Sequence, residues 1–210
     1  ALTIGSDGSI YITGKTFEKG NSIYLQKLSS DGAEVWLRSF GGGLQDYPFA
    51  LTTGRNDSIY IAGRTRGGIG KNPQGGMDIF IKKFDSDGTS KSLEVFGTNI
   101  DDDVLSMDTG SDGSIYITGQ TGGDLNGQPN NGQGDAYISK IIETLAPEDL
   151  FISKTNLDEN IEANSVVLTL STTDQDSDDT HTYSLVSGQR DTDNELFTID
   201  GNKLKIKNSP

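Results

Sequence analysis

The sequence predicts an all-β protein, and three observations support this. Tyr, Ile, Phe, Val and Thr dominate short segments that Gly or Asp-Gly separates, as is typical of strands joined by tight turns. Helical periodicity is essentially absent along the chain. The 27 glycines among 210 residues fall at turn positions and follow no collagen-like period.

The composition of the chain limits the functions and partners that it can have. The net charge is −14, and residues 147–210 carry 13 acids against 5 bases, whereas residues 1–146 carry 18 against 12. This acidity repels phosphate backbones, so we expect no nucleic-acid partner. The chain has no cysteine, which excludes disulfides and cysteine metal sites. No apolar run approaches about 18 residues, so we expect no membrane insertion within this chain.

An internal repeat organises the first two thirds of the chain. The tetrapeptide Ser-Ile-Tyr-Ile begins at residues 9, 58 and 114, within a longer recurring block. A second strand-like block follows each copy, at residues 21–32, 77–88 and 134–141. Asp-Gly pairs at residues 7–8, 31–32, 87–88 and 112–113 predict hairpin turns.

The middle repeat is complete and predicts four strands, at Tyr47–Thr53, Ser58–Thr65, Asp78–Phe84 and Leu93–Phe96. Four antiparallel strands in each repeat of about 40–50 residues are typical of a β-propeller blade. The first copy lacks most of its first strand and the third lacks its fourth. We therefore expect a partial propeller of under three four-stranded blades over residues 1–145, whose ring would need upstream residues to close.

The ordered blocks of residues 1–143 resemble the bacterial β-propeller repeats often called SBBP repeats. The carrying motifs are Asp-Gly-Ser-Ile-Tyr-Ile-Thr-Gly from Asp112, Met-Asp-Ile-Phe-Ile-Lys-Lys from Met77 and Val-Trp-Leu-Arg-Ser-Phe-Gly-Gly from Val35. The resemblance implies a propeller in a secreted or surface-exposed bacterial protein, without a defined chemistry.

Two features of the repeats are candidates for binding. The loops at residues 66–76 and 122–134 are long, polar and in corresponding positions, so they are either a binding surface on one rim or plain insertions. Asp101, Asp102 and Asp103 could ligate a cation, but EF-hand spacing is absent and we favour ordinary β-turns. We expect Trp36 to pack within a blade.

Residues 147–210 have a different composition, with few glycines and many acids. They predict short strands at Leu150–Ser153, Ser165–Ser171, His181–Val186, Leu196–Ile199 and Lys203–Ile206. Alternating polar and apolar residues favour a β-sandwich. We expect His181, the single histidine, to have a structural role.

This segment resembles the front part of a bacterial cadherin-like domain. The motifs that carry the resemblance are Asp-Glu-Asn from Asp158, Thr-Asp-Gln-Asp from Thr173 and Leu-Phe-Thr-Ile-Asp-Gly from Leu196. The resemblance implies an incomplete Ig-like sandwich whose ends bind calcium, with ligands carried over to Glu159, Asp174 and Asp176.

The chemistry of the acidic segment agrees with calcium as the cofactor. Asp174, Asp176 and Asp178 are clustered carboxylates that a hard cation would neutralise. A merely solvated acidic loop is the alternative. The metal residues predicted from sequence are therefore Glu159, Asp174, Asp176 and Asp178.

Together these patterns predict a non-catalytic, calcium-binding bacterial protein that is extracellular or on the cell surface. Its partners would be other surface proteins, glycans, or the same protein on another cell. The alternative is a carbohydrate-binding accessory region of a large secreted enzyme whose catalytic domain lies outside this chain. An architectural stalk segment is a third interpretation.

Overall fold

The chain is all-β and divides into two compact units, Ala1–Glu143 and Thr144–Pro210. The computed structural model describes every residue except 17–21, 43–44, 71–73, 144–146, 148, 155, 157–159, 175–178, 189–191 and 208–210. Within the described part, four antiparallel sheets account for all the named strands, and the helical segments are two single 3₁₀ turns.

Three sheets build the first unit, each with strands in sequential order. The first sheet contains β1 (Leu2–Ile4), β2 (Ile10–Lys15), β3 (Ile23–Leu28) and β4 (Glu34–Phe40). The second contains β5 (Tyr47–Thr53), β6 (Ile59–Thr65), β7 (Asp78–Phe84) and β8 (Ser90–Phe96). The third contains β9 (Asp102–Thr109), β10 (Ile115–Thr121) and β11 (Asp135–Ile141). The predicted strands of the middle repeat are thus present, and β8 begins three residues earlier than expected.

The Asp-Gly pairs form turns as predicted. Gly8, Gly32, Gly88 and Gly113 all have φ between 78° and 89°, a region that glycine adopts without a Cβ penalty. The second repeat has no Asp-Gly at the first of these turns. There, Asn56 and Asp57 adopt φ values of 52° and 53° in a 3₁₀ turn at Arg55–Asp57.

A glycine inside the second strand of the second and third repeats marks close backbone approach. A Cβ on Gly63 would lie 2.0 Å from the Tyr47 carbonyl oxygen, and one on Gly119 would lie 1.8 Å from that of Asp103. Both positions adjoin a register shift in the pairing with the preceding strand. Only a residue without a side chain fits such a bulge.

The sheets stack face on face, which buries two separate cores. In the first junction, between the first and second sheets, a cluster of large side chains is buried: Tyr11, Ile23, Leu25, Leu51, Ile59, Ile61, Ile69, Phe80 and Phe84. In the second junction, between the second and third sheets, the buried cluster is Ala50, Tyr60, Ala62, Ile79, Ile81, Val104, Met107, Ile115 and Ile117. Alternate residues of β6 face opposite junctions, so the second sheet is covered on both faces.

The second unit has one sheet, with strands β12 (Asp149–Ile152), β13 (Val166–Thr173), β14 (Phe197–Asp200) and β15 (Lys203–Ile206). Their order is β12-β13-β15-β14. The buried apolar side chains described here are Val167, Leu170 and Ile206. The expected strand at His181–Val186 is wrong, because these residues have no ladder pairing. Alternation alone did not reveal that no neighbouring strand pairs with this segment.

Candidate functional site

The loop between β10 and β11 is ordered and folds back on itself. Leu125 and Gln128 form an isolated bridge, and Asn126 and Gly127 between them have φ angles of 52° and 76°. Consecutive positive φ angles at Asn-Gly are the signature of a type I′ turn. The Leu125 side chain is buried and anchors this small hairpin.

Side chains also hold the second half of this loop. Asp124 accepts a hydrogen bond from the Asn130 N–H at 2.8 Å, and the Asn130 amide donates to the Thr121 carbonyl at 3.1 Å. Asp135 accepts from the Asn131 N–H at 2.8 Å. Of the two sequence interpretations of residues 122–134, a plain flexible insertion is therefore the weaker.

A groove of about 570 Å³ lies between this loop and β11. Its walls carry the side chains of Asn126, Gln128, Asn130, Asn131 and Tyr137. Amide side chains offer hydrogen-bond donors and acceptors at a fixed spacing, and the volume is in the range of small-ligand sites. The groove thus presents polar amides and the Asp135 carboxylate beside an aromatic ring.

The corresponding loop of the second repeat packs differently. Ile69 belongs to the core of the first junction, and the Thr65 hydroxyl accepts hydrogen bonds from the N–H groups of Gly67 and Ile69. Residues 71–73 lie outside the described part. The described half of this loop is therefore used for packing.

Each repeat places a lysine between a carboxylate and a tyrosine ring. In the first repeat Lys27 reaches Asp7 at 3.4 Å and lies over Tyr11. In the third repeat Lys140 reaches Asp112 at 2.9 Å and lies over Tyr116. Both acids also accept bonds from the serine two residues on, which fixes the turn.

The second repeat has Asn56 where the others have this aspartate, and Glu143 supplies the carboxylate instead. Glu143 follows β11, and its side chain is only 2% exposed. It pairs with Lys83 and accepts hydrogen bonds from the Ser58 hydroxyl and the Arg55 N–H. The end of the first unit is thereby tied back to the second sheet, a contact that the sequence did not predict.

These contacts shift the pKa values of several of the groups involved. The Lys140 ammonium and the Ser114 N–H lower the pKa of Asp112 to about 2. Burial, with the Glu143 charge nearby, raises the pKa of Tyr60. The pKa of Lys140 is raised as that of Asp112 is lowered, so this lysine–carboxylate pair stays charged near neutral pH.

Of the predicted metal residues, the structure describes only Asp174, which follows the end of β13. Its carboxylate is 4% exposed, and its Oδ2 lies 3.8 Å from His181 Nε2. Glu159, Asp176 and Asp178 lie outside the described residues. One buried carboxylate oxygen suits calcium chemistry but is not a coordination set. Within the described ranges, no three His, Asp or Glu side chains converge as metal ligands.

Two of the acids at residues 101–103 are in a strand where the sequence favoured a turn. Asp102 and Asp103 open β9, Asp102 is fully buried, and Asp103 pairs with Arg64 at 2.6 Å. Asp101 accepts a hydrogen bond from the Met77 N–H at 2.8 Å. A row of acids read along the chain gave no indication that one of them would be enclosed between two sheets.

Fold and sites together define an all-β protein of stacked antiparallel sheets with an ordered polar loop groove. No protein-family model matches the chain. It is similar to the regulatory protein FlaEY of Caulobacter vibrioides, with 28% identity over 143 residues, which covers 57% of this chain. The chain spans 15% of that protein's length.

No helix among the described residues is long and apolar enough to cross a bilayer.

Proposed function

We propose that the chain is a non-catalytic interaction protein of the bacterial surface or exterior. In this proposal the first unit is a section of a β-propeller of SBBP type, and the second is the front part of a cadherin-like sandwich. The Caulobacter relative is named as a regulatory protein, and regulation is a role that binding alone can fulfil.

The observation that carries the proposal is the way the three sheets stack. Tyr11, Ile23 and Leu25 of the first sheet pack on the second, and the equivalent Tyr60, Ile79 and Ile81 pack on the third. In both junctions, therefore, the face of one sheet that carries these residues packs against the opposite face of the following sheet. Such head-to-tail stacking closes a ring when the rotation per sheet allows it, as in a propeller.

The third sheet leaves the equivalent face open. Ile138, the counterpart of Leu25 and Ile81, is 75% exposed, and Ala136 is exposed beside it. An uncovered apolar face in this position supports the expectation that further repeats continue the stack. Blades around a ring would then display loops such as residues 122–134 on a common rim.

Calcium at the second unit is part of the proposal. Glu159, Asp174, Asp176 and Asp178 are the candidate ligands, and the buried carboxylate of Asp174 beside His181 supports a site near the end of β13. The chemistry that fits is a hard cation neutralising clustered carboxylates. Calcium would then order this end of the unit for contact with a surface partner.

The single histidine makes this test direct. We expect millimolar calcium to shift the NMR resonances of the His181 ring, and Asp174→Asn to remove most of that shift. Asp200→Asn is the matched control, since Asp200 is an exposed acid of the same unit that pairs with Lys205. His181 resonances that stay unchanged on calcium addition would refute the calcium site.

Carbohydrate binding is the second candidate, and the amide-lined groove of the third repeat favours it. Neutral amides beside an aromatic ring match the hydroxyl groups and apolar faces of sugars. A glycan array with the whole chain should show binding that Gln128→Ala weakens and Gln120→Ala, outside the groove, leaves intact. Equal binding by both variants, or none by the wild type, argues against this function.

A further inference from the structure

The first junction shows how a buried aspartate is normally satisfied in this fold. Asp46, just before β5, is fully buried. Its Oδ1 accepts a hydrogen bond from the Thr65 hydroxyl at 2.6 Å, and its Oδ2 accepts one from the Gly42 N–H at 3.3 Å. The neighbouring position at the start of β3 is the buried Ser22. One carboxylate with both oxygens bonded therefore serves this junction.

The second junction repeats the backbone plan with a different pair of side chains. Asp102 takes the place of Asp46, and its Oδ2 accepts from the Thr98 N–H at 2.6 Å, as Asp46 does from Gly42. Asp78 takes the place of Ser22 at the start of β7. Both Asp78 and Asp102 are fully buried, so the second junction encloses two carboxylates where the first encloses one.

Two oxygens of this pair have no hydrogen-bond partner among the described residues. They are Asp78 Oδ1 and Asp102 Oδ1. Thr121, the counterpart of the Thr65 that satisfies Asp46, donates instead to the Gly123 carbonyl at 3.0 Å. Asp78 Oδ2 accepts a hydrogen bond from the Gln74 N–H at 2.9 Å.

One oxygen of each carboxylate lies near a common point, and for Asp102 this is the Oδ2 that the Thr98 N–H also contacts. A Cβ placed on Gly97 would lie 2.2 Å from Asp78 Oδ1 and 2.8 Å from Asp102 Oδ2. Gly97 is therefore required here, because any side chain would displace a carboxylate.

The electrostatics of the pair are unfavourable as they stand. Neither acid forms an ion pair with a described residue, whereas Asp103 beside them has Arg64. Asp101 adds a third negative charge close to Asp78. Burial, with the charges of Asp102 and Asp101, raises the pKa of Asp78 although the Gln74 N–H opposes this rise. Buried carboxylates without a counter-charge are costly, and a bound cation removes that cost.

We propose that Asp78 and Asp102 bind a hard, oxygen-preferring cation at the junction of the second and third sheets. Each sheet supplies one carboxylate, with an unpartnered oxygen available for coordination. The remaining ligands would be main-chain carbonyls and water, as is usual for such ions. The ion joins adjacent sheets at a point where the first junction relies on hydrogen bonds alone. This site is independent of the function proposed above and of the second unit.

The test uses the whole chain and its single tryptophan. Trp36 packs against the core of the first junction, so its fluorescence reports unfolding of the first unit and not of the second. We expect calcium at about a hundredfold excess over its Kd to raise the unfolding temperature of the first unit by on the order of 5 °C or more. Magnesium and sodium, each tested separately against a chelated and desalted sample, identify the preferred ion.

Two variants and one control assign the effect. Asp78→Ser reproduces the first junction, and Asp102→Asn keeps the acceptor for the Thr98 N–H; each should abolish the cation-dependent shift. Asp135→Ser changes the equivalent acid of the third repeat, where no paired carboxylate exists, and should keep it. If one variant fails to fold, the other still decides.

The proposal is overturned if none of the three cations stabilises the wild-type first unit. It is equally overturned if the shift persists in both the Asp78→Ser and the Asp102→Asn variants. These outcomes are distinct from those of the His181 measurement, because the two reporters lie in different units.

Discussion

The two junctions of the first unit have the same backbone arrangement but differ in the side chains that are buried between the sheets. The first packs aromatic rings and closes its one buried aspartate with hydrogen bonds. The second packs mainly aliphatic side chains with fewer buried rings, and it encloses two carboxylates, each with one oxygen that has no hydrogen-bond partner among the described residues. A repeated fold thus lets one exchange, Ser22 to Asp78, turn a packing position into a candidate binding position while the sheets keep their arrangement.

The largest expected contrast lies in the rings at equivalent places in the two junctions. Phe80 is fully buried in the first, whereas Tyr137 is partly exposed in the second. We expect Phe80→Ala to lower the free energy of unfolding by about 3–5 kcal/mol and Tyr137→Ala by about 2 kcal/mol, since less apolar area is lost. Urea unfolding followed by Trp36 fluorescence measures both, and equal losses would contradict the comparison.

Glu143 provides the next contrast, because it replaces from a distance the aspartate that the first and third repeats carry locally. Glu143→Ala leaves the Ser58 hydroxyl, the Arg55 N–H and Lys83 without their acceptor. We expect a loss of about 2–3 kcal/mol in the free energy of unfolding. Asp7→Ala, in an exposed turn where solvent screens the pair, should lower stability clearly less. The same urea titration checks both, and a Glu143 variant as stable as the wild type would refute the tie.

The bulge glycines give a smaller and more uniform effect. Gly63→Ala and Gly119→Ala each push a Cβ into a carbonyl oxygen, so we expect losses of about 1–3 kcal/mol at both junctions. Gly14→Ala meets only the Tyr24 side chain, 2.8 Å away, which can move. Thermal unfolding should therefore rank Gly14→Ala as the mildest of the three, and the reverse order would contradict this account.

The smallest effect concerns pH. The pKa of Asp112 is lowered from 3.8 to about 2, so its charged form stabilises the fold above about pH 4 and this contribution disappears as pH falls towards 2. Asp112→Asn should flatten the dependence of stability on pH in that window and change little at pH 7. Asp108→Asn, on the neighbouring strand, is the control. An unchanged acid-unfolding curve for Asp112→Asn would show that the pair contributes nothing.

The strands of the repeats could be predicted from the sequence because turn residues mark the ends of most of them. Asp-Gly at Gly8, Gly32, Gly88 and Gly113 sets the turn locally, and the alternation between turns needs no distant partner. The segment at His181–Val186 has the same alternation, yet it forms no strand in the structure. A strand forms only where another strand pairs with its backbone N–H and C=O groups. The alternation of residues along one segment does not show whether such a partner strand lies beside it.

The candidate sites divide along the same line. The long loop at residues 122–134 was identified from length and polarity, since both are local properties. The role of Glu143 and the burial of Asp102 depend on residues more than twenty positions away. One signal was present in the repeats: Asn56 stands where the other two repeats have Asp7 and Asp112, and Ser22 stands where the other two have Asp78 and Asp135. Comparing the repeats identifies positions where one repeat differs from the others. Only the packing of the sheets shows which other residue makes up for the changed side chain.

By itself the sequence determined the all-β class, the three repeats, the turn positions and the acidic character of the chain, because these follow from residue preferences over a few neighbours. The tertiary structure alone decided which acids are buried and which carboxylate reaches which lysine. Burial and pairing depend on which sheet faces which, and the energetic cost of an unpaired charge arises only after water has been removed. The meeting of Asp78 and Asp102 belongs to that second class.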